Sequence, residues 1–155
     1  MSVRERQDLL SRAALGVFRL NGQFLAVAEE LARPAGLTAA RWQVLGAVLR
    51  EPLPVSGVAR AMGITRQSVQ RVADLLVEGG LAEYRPNPAH RRAKLLAPTE
   101  AGFAAVSRID PGHAALADRL AGAYGSVAEL AEAVEAVERL SKALDDIGGP
   151  PVTEP

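Results

Sequence analysis

VSGVARAMGITRQSVQRVADLLVEGGLAEYRPNPAHRRAK, residues 55–94, reads as a short helix, a glycine turn, a second helix, a strand, a basic loop and a returning strand. Ser56 offers a hydroxyl to the orphan amides of a first turn and so caps the short helix. Val58, Ala59 and Met62 stand at i, i+1 and i+4 and share one apolar face. Gly63 stops that helix and admits the left-handed conformation that a sharp turn needs. Ile64 follows as an apolar plug between the two helices. Thr65 is a good N-cap for the second helix, in which Val69, Val72, Ala73 and Leu76 form an apolar stripe. Arg66, Gln67, Gln70, Arg71 and Asp74 lie opposite, and Gly79-Gly80 ends the helix.

Leu81 to Arg85 alternates apolar and polar residues, as an exposed edge strand does. Pro86-Asn87-Pro88 makes a turn. His90, Arg91, Arg92 and Lys94 crowd the loop, and Leu95-Leu96 begin the return. The sum is a winged helix-turn-helix: mainly α, with a small two- or three-stranded β wing. Such a unit lays the N-terminal part of its second helix in the major groove of DNA. Here that part is Thr65 to Arg71, with Ser68 between the longer side chains. Arg pairs with a guanine edge through two bonds, and Gln does the same with adenine. Taken alone, a polar helix face is more often merely solvated, and a basic loop merely solubilising. The glycine turn, the spacing and the strands reverse those odds. The DNA-facing set is therefore Ser56, Thr65, Arg66, Gln67, Ser68, Gln70 and Arg71, with His90, Arg91, Arg92 and Lys94 on the wing.

In these residues the sequence resembles the MarR-type transcriptional regulators, and the resemblance covers nearly the whole chain. It is strongest in residues 37–45 (LTAARWQVL), 63–69 (GITRQSV) and 87–94 (NPAHRRAK), and Thr99-Glu100-Ala101-Gly102 also fits. Two departures stand out. The family's wing carries an Asp two residues before its tip arginine, where this chain has Ala89. The family's Leu-Thr pair after the wing is Pro98-Thr99. The first removes a brace from the wing; the second affects only where the strand ends. The resemblance implies a homodimeric repressor on an inverted repeat, with Arg91 in the minor groove. It also implies an apolar cleft for an aromatic or lipophilic effector, with Phe18, Phe24, Trp42 and Leu45 as candidate walls. For any one of those four, a plain core role is the commoner fate.

The flanks complete the expected architecture. Residues 1–36 and 98–147 make a helical dimerisation region, 37–97 the winged helix-turn-helix, and 148–155 a disordered tail. Met1 to Ala32 reads as one long helix, with Leu10, Ala14, Val17, Phe18, Asn21, Phe24, Leu25 and Ala28 at 3-4 spacing. Arg33-Pro34-Ala35-Gly36 breaks it. Thr38 caps the next helix, expected to run to about Arg50 with Trp42, Leu45, Val48 and Leu49 inward. Pro52 and Pro54 separate it from the stretch quoted first. Beyond the wing, Thr99 caps another long helix. Pro111 inside it should kink the helix or restart it with Asp110 as cap. Ser126-Val127-Ala128-Glu129 is a capping box that opens the last helix. There Val127, Leu130, Val134, Val137, Leu140 and Leu144 make a seam, packed either on its own chain or, as the family implies, on a second one.

The 155 residues carry zero net charge, which at first argues against nucleic acid. Its distribution argues back. Residues 55–95 hold seven Lys or Arg against three acids, and residues 96–155 hold four against ten. A basic segment followed by an acidic one suits local DNA contact, the acids being held away from phosphate. There is no cysteine, so disulfides, thiolate metal sites and thiol switches are excluded. His90 and His113 are the only histidines and have no partner at metal-ligand spacing. No phosphate loop, nucleophile elbow or zinc motif occurs, so neither an enzyme, a metal nor a cofactor is expected. With no signal peptide and no membrane span, the cytoplasm is the default. The competing reading is a winged-helix module that binds a protein, which would show exposed apolar residues where this chain has Arg and Gln.

Overall fold

The computed structural model describes residues 1–148, so the expected tail lies outside the described residues apart from Gly148. The elements run α1 (Val3–Ala32), a 3-10 turn (Arg33–Ala35), α2 (Ala39–Ala47), β1 (Leu53–Pro54), α3 (Val55–Met62) and α4 (Arg66–Glu78). They continue with β2 (Ala82–Arg85), β3 (Leu95–Pro98), α5 (Glu100–Tyr124) and α6 (Val127–Asp146). This is the expected mainly α fold with a small antiparallel sheet.

The sheet is ordered β1-β3-β2. Tyr84 stands opposite Leu96 in the β2–β3 pair, and Leu53 opposite Leu96 in the β1–β3 pair. The third strand comes from a segment whose two prolines read only as a separator. Pro54 fits because β1 is an edge strand of two residues, where a missing donor costs little. Pro54 is also the N-cap residue of α3, with no side-chain cap. The chain passes directly from strand to helix, so Ser56 lies inside the first turn instead of capping it.

The core gathers under this sheet. Val44, Leu45 and Val48 meet Val58, Ala59, Val69, Ala73, Leu76, Leu96, Ala105 and Ile109, all buried. The stripes expected in α3 and α4 are thus the core faces of both helices. Gly63 takes φ +67° and turns the chain between them. Ile64, however, is 42% exposed; the turn carries it to the rim of the helix pair. Thr65 caps α4, its hydroxyl accepting from the Ser68 amide. Helix α2 stops at Ala47 instead of near Arg50. Its exit is tightened by bonds from the Val48 and Leu49 amides to carbonyls three residues back.

Thr99 fastens α5 to the end of α4. Its hydroxyl donates to the Gly80 carbonyl and its amide to the Leu81 carbonyl. Gly102, one turn on, is buried so close to this corner that a Cβ would run into the Leu81 carbonyl. Helix α5 then continues unbroken through Pro111. The expected restart at Asp110 does not occur. One lost hydrogen bond is outweighed where Ala105 and Ile109 before the proline, and Ala121 after it, are buried. The Trp42 ring stands edge-on to His113, centroids 5.7 Å apart, joining α2 to α5.

The outer helices differ in kind. Helix α1 has a complete capping box, in which Ser2 and Glu5 exchange bonds. Its Glu29 carboxylate accepts from the Ala39 amide at the start of α2. Only Ala28 and Ala32 of α1 are buried. Helix α6 starts where the Ser126 hydroxyl accepts from the Glu129 amide, and none of its residues is buried. No described helix is long and apolar enough to cross a membrane.

Candidate nucleic-acid interface

Helix α4 presents Arg66, Gln67, Gln70 and Arg71 to solvent, since its other face is committed to the core. Arg66, Gln67 and Gln70 face a groove whose far wall is the wing residues Arg92, Ala93 and Lys94. Pro54, Val55 and Ser56 close one side, and Tyr84 is also part of the lining. Six of the expected DNA-facing residues therefore meet in one place: Ser56, Arg66, Gln67, Gln70, Arg92 and Lys94. Three cations line this groove, and none of the described residues that line it is a carboxylate. It can accept a phosphate backbone between helix and wing while the helix faces a base edge.

The other expected residues lie around it. Thr65 spends its hydroxyl on the cap and on a bond donated to the Ser68 hydroxyl, 2.9 Å away. These two shape the start of α4. Arg71 is exposed but does not line the groove. Arg91 borders a neighbouring hollow with Arg85, Pro86, Asn87 and Lys94. His90 is exposed at the tip, and its amide donates to the Asn87 carbonyl.

Sequence reasoning missed three contributors. Asn87 braces the wing turn: its side-chain oxygen accepts from the Ala89 amide at 3.0 Å. Asn before Pro in a turn is the signal that could have shown it. The other two are Asp74 and Tyr84. The Gln70 amide nitrogen donates to Asp74 at 2.9 Å and to the Tyr84 hydroxyl at 2.8 Å. The Tyr84 hydroxyl in turn donates to the same Asp74 oxygen. The Gln70–Asp74 spacing of one helical turn was visible in sequence; the Tyr84 link was not. Partial burial, and then the bond and negative charge of Asp74, push the Tyr84 phenol up to about 12. It therefore keeps its proton under ordinary conditions. Farther along β2, Arg85 is paired with Glu83 at 2.7 Å, which removes one cation from the wing's free charge.

The four candidate effector walls differ in burial. Leu45 is sealed in the core and Trp42 is half-buried, whereas Phe18 is 72% and Phe24 53% exposed on α1. Among the described residues no cluster of His, Cys, Asp or Glu could hold a metal ion.

A cationic helix-and-wing groove on a helical scaffold defines a winged-helix regulator, and comparison with known proteins agrees. Residues 35–93 match the sequence profile of the MarR family. An uncharacterised Mycobacterium tuberculosis protein is 42% identical over 121 residues, 78% of this chain and 85% of that protein. CouR from Rhodococcus jostii, solved bound to p-coumaroyl-CoA, is 26% identical with TM-score 0.62, over 92% of this chain and 95% of that one. A mutant E. coli MarR complexed with operator DNA shares the fold at 20% identity, TM-score 0.73, over 90% of this chain and 99% of that one. The chain belongs to the MarR family of winged-helix transcription regulators.

Proposed function

We propose that this chain is a cytoplasmic, homodimeric repressor that reads an inverted repeat in double-stranded DNA. The observation that carries the reading is the groove between α4 and the wing, where Arg66, Arg92 and Lys94 surround Gln67 and Gln70 in a protein of zero net charge. A protein-binding module is disfavoured because this face is polar and cationic. The homodimer is supported by the uncovered apolar faces of α1 and α6. Val134, Val137, Leu140 and Leu144 are each half or more exposed at helical spacing. A two-fold pair would set two copies of α4 about one DNA turn apart. The test is a mobility shift with the DNA upstream of the chain's own gene at several salt concentrations. Affinity should fall steeply as salt rises, because phosphate contacts release counterions. Binding that ignores salt, or no binding, would overturn the reading.

We extend the proposal to release by an aromatic effector. The support is CouR, solved with p-coumaroyl-CoA, together with the uncovered Phe18 and Phe24. The sole tryptophan, Trp42, reports on it: a panel of aromatic carboxylates should change its fluorescence and weaken DNA binding. Silence in both would remove the ligand from the proposal.

A further inference from the structure

We infer that the DNA-binding surface extends beyond the groove onto α3, where Arg60 takes a further phosphate of the duplex and Ile64 packs on the sugar beside it. The inference rests on the DNA-binding reading above and deepens it.

A second hollow adjoins the groove. Ser56, Ala59 and Arg60 of α3, Gly63 and Ile64 of the turn, and Arg66 of α4 line it. Ser56 and Arg66 line the groove as well, so the two are parts of one surface. Arg60 follows Ser56 by one helical turn, on the same face of α3. The face that closes the groove at Ser56 therefore presents a guanidinium one turn on. Arg60 is exposed, and among the described residues no ion pair neutralises it. None of the described residues that line the hollow is a carboxylate, and residues 52–73 contain no acid at all. Ile64 is the apolar component. A single exposed isoleucine is ordinary on a protein surface. This one is 42% exposed and shares its hollow with two guanidinium groups. That pairing matches a nucleic-acid strand, which alternates anionic phosphates with the C–H faces of deoxyribose. A strand carries a phosphate at every step, about 3.4 Å of helix axis apart. A backbone seated between α4 and the wing thus has further phosphates beyond it, and the first helix of a helix-turn-helix crosses that backbone. The local role for Arg60 is different: it lies in the last turn of α3, where a cation suits the helix dipole. Salt separates the two roles, because only a phosphate contact releases a counterion from DNA.

The experiment is phosphate ethylation interference on the duplex that the parent binds, repeated with Arg60→Ala, Arg60→Lys, Ile64→Ala and Lys94→Ala. Affinity is measured alongside at several salt concentrations. Arg60→Ala should lose affinity about tenfold and lower the salt slope by about one per half-site. Interference should vanish in each half-site at a phosphate that Lys94→Ala still requires, and base preference should not change. Arg60→Lys keeps the charge and should keep the slope. Ile64→Ala should lose affinity about threefold at the parent's slope, since it removes apolar contact and no charge. Ile64→Ala binding as tightly as the parent would remove the sugar contact. Arg60→Ala may match the parent in every respect, or lose affinity with the parent's slope and interference pattern. In either case Arg60 serves only its own helix, and the inference falls while DNA binding through the groove stands. A parent indifferent to salt and to ethylation at every phosphate would overturn the DNA-binding reading, and this inference with it.

Discussion

Leu45 in α2 and Leu140 in α6 both lie on apolar helical stripes of the same spacing. Leu45 is wholly buried, and Leu140 is half exposed. The contrast holds for the regions they come from. The winged region buries its stripes in one core, built by α2, α3, α4, β2 and β3 and closed by Ala32 at the end of α1 and by Ala105 and Ile109 in the first half of α5. Beyond Ala28 and Ala32, the outer helices α1 and α6 bury none of theirs. Leu10, Val17, Phe18 and Phe24 of α1, like the α6 seam, are open to solvent. A monomer seldom carries so much contiguous apolar surface without a use for it. The winged region covers its own apolar stripes, whereas the outer helices leave theirs open, and that open surface is what the proposed dimer would cover.

Breaking the open half should have the largest effect. Val137→Asp with Leu140→Glu puts two charges into the α6 seam while removing no contact from the buried core. Ultracentrifugation should find a monomer. Duplex affinity should drop by about 10²- to 10⁴-fold, the factor that joining two half-site readers confers. A double variant that stays dimeric and binds normally would place the seam elsewhere. Breaking the closed half should act differently. Leu45→Ala removes a fully buried side chain and should cost about 2–5 kcal/mol in urea unfolding. It should leave the subunit contacts of whatever remains folded intact.

How far each half was legible follows from the range of its determinants. The turn at Gly63, the caps at Thr38, Thr65, Thr99 and Ser126, and the stripe of α4 are local, and sequence spacing shows them. The groove was legible because Arg66, Gln67, Gln70, Arg92 and Lys94 project from those local elements. What failed needed distant partners. Pro111 reads locally as a break, but packing on both sides carries α5 through it. Gly102 looks like an ordinary helix residue until the Leu81 carbonyl lies against it. The Glu29 bond to the Ala39 amide depends on the path of the intervening 3-10 turn. Tyr84 reads as the apolar partner in an alternating strand, and only the fold shows its hydroxyl beside Asp74 and Gln70.

A smaller effect sharpens the comparison on the DNA-facing side. Arg91 does not line the groove; it borders a neighbouring hollow with Arg85, Pro86 and Asn87, and Tyr84 and Lys94 line both. There a guanidinium suits a narrow, A·T-rich minor groove, whose negative potential is concentrated. Arg91→Ala should cost about 1–3 kcal/mol of duplex affinity and lower the salt slope by about one. It should also weaken any preference for A·T pairs flanking the half-sites. Lys94→Ala should lower affinity with little change in that preference. Equal binding by Arg91→Ala and parent at several salt concentrations would remove the wing tip from the interface.

The smallest expected effect belongs to the hydroxyl that joins wing to helix. Tyr84→Phe deletes two solvent-exposed hydrogen bonds, the one donated to Asp74 and the one accepted from Gln70, so the loss at neutral pH should be only about 1 kcal/mol. Its pH dependence identifies it. The phenol is raised from its ordinary value of 10 to about 12 in the folded chain, so folding favours the protonated form. That contribution is complete below the unfolded value and is lost as pH rises through the folded one. The stability gap between parent and Tyr84→Phe should therefore shrink between neutral pH and about pH 11 to 12. Other groups that ionise there are common to both proteins and cancel in the difference. Urea unfolding at the two pH values measures it, and spectroscopic titration of the phenol should show the component near 12 disappear in Tyr84→Phe. A gap that stays constant with pH would mean that the Tyr84 hydroxyl does not hold Asp74 in solution. The wing strand would then be tied to α4 through the sheet and the core alone.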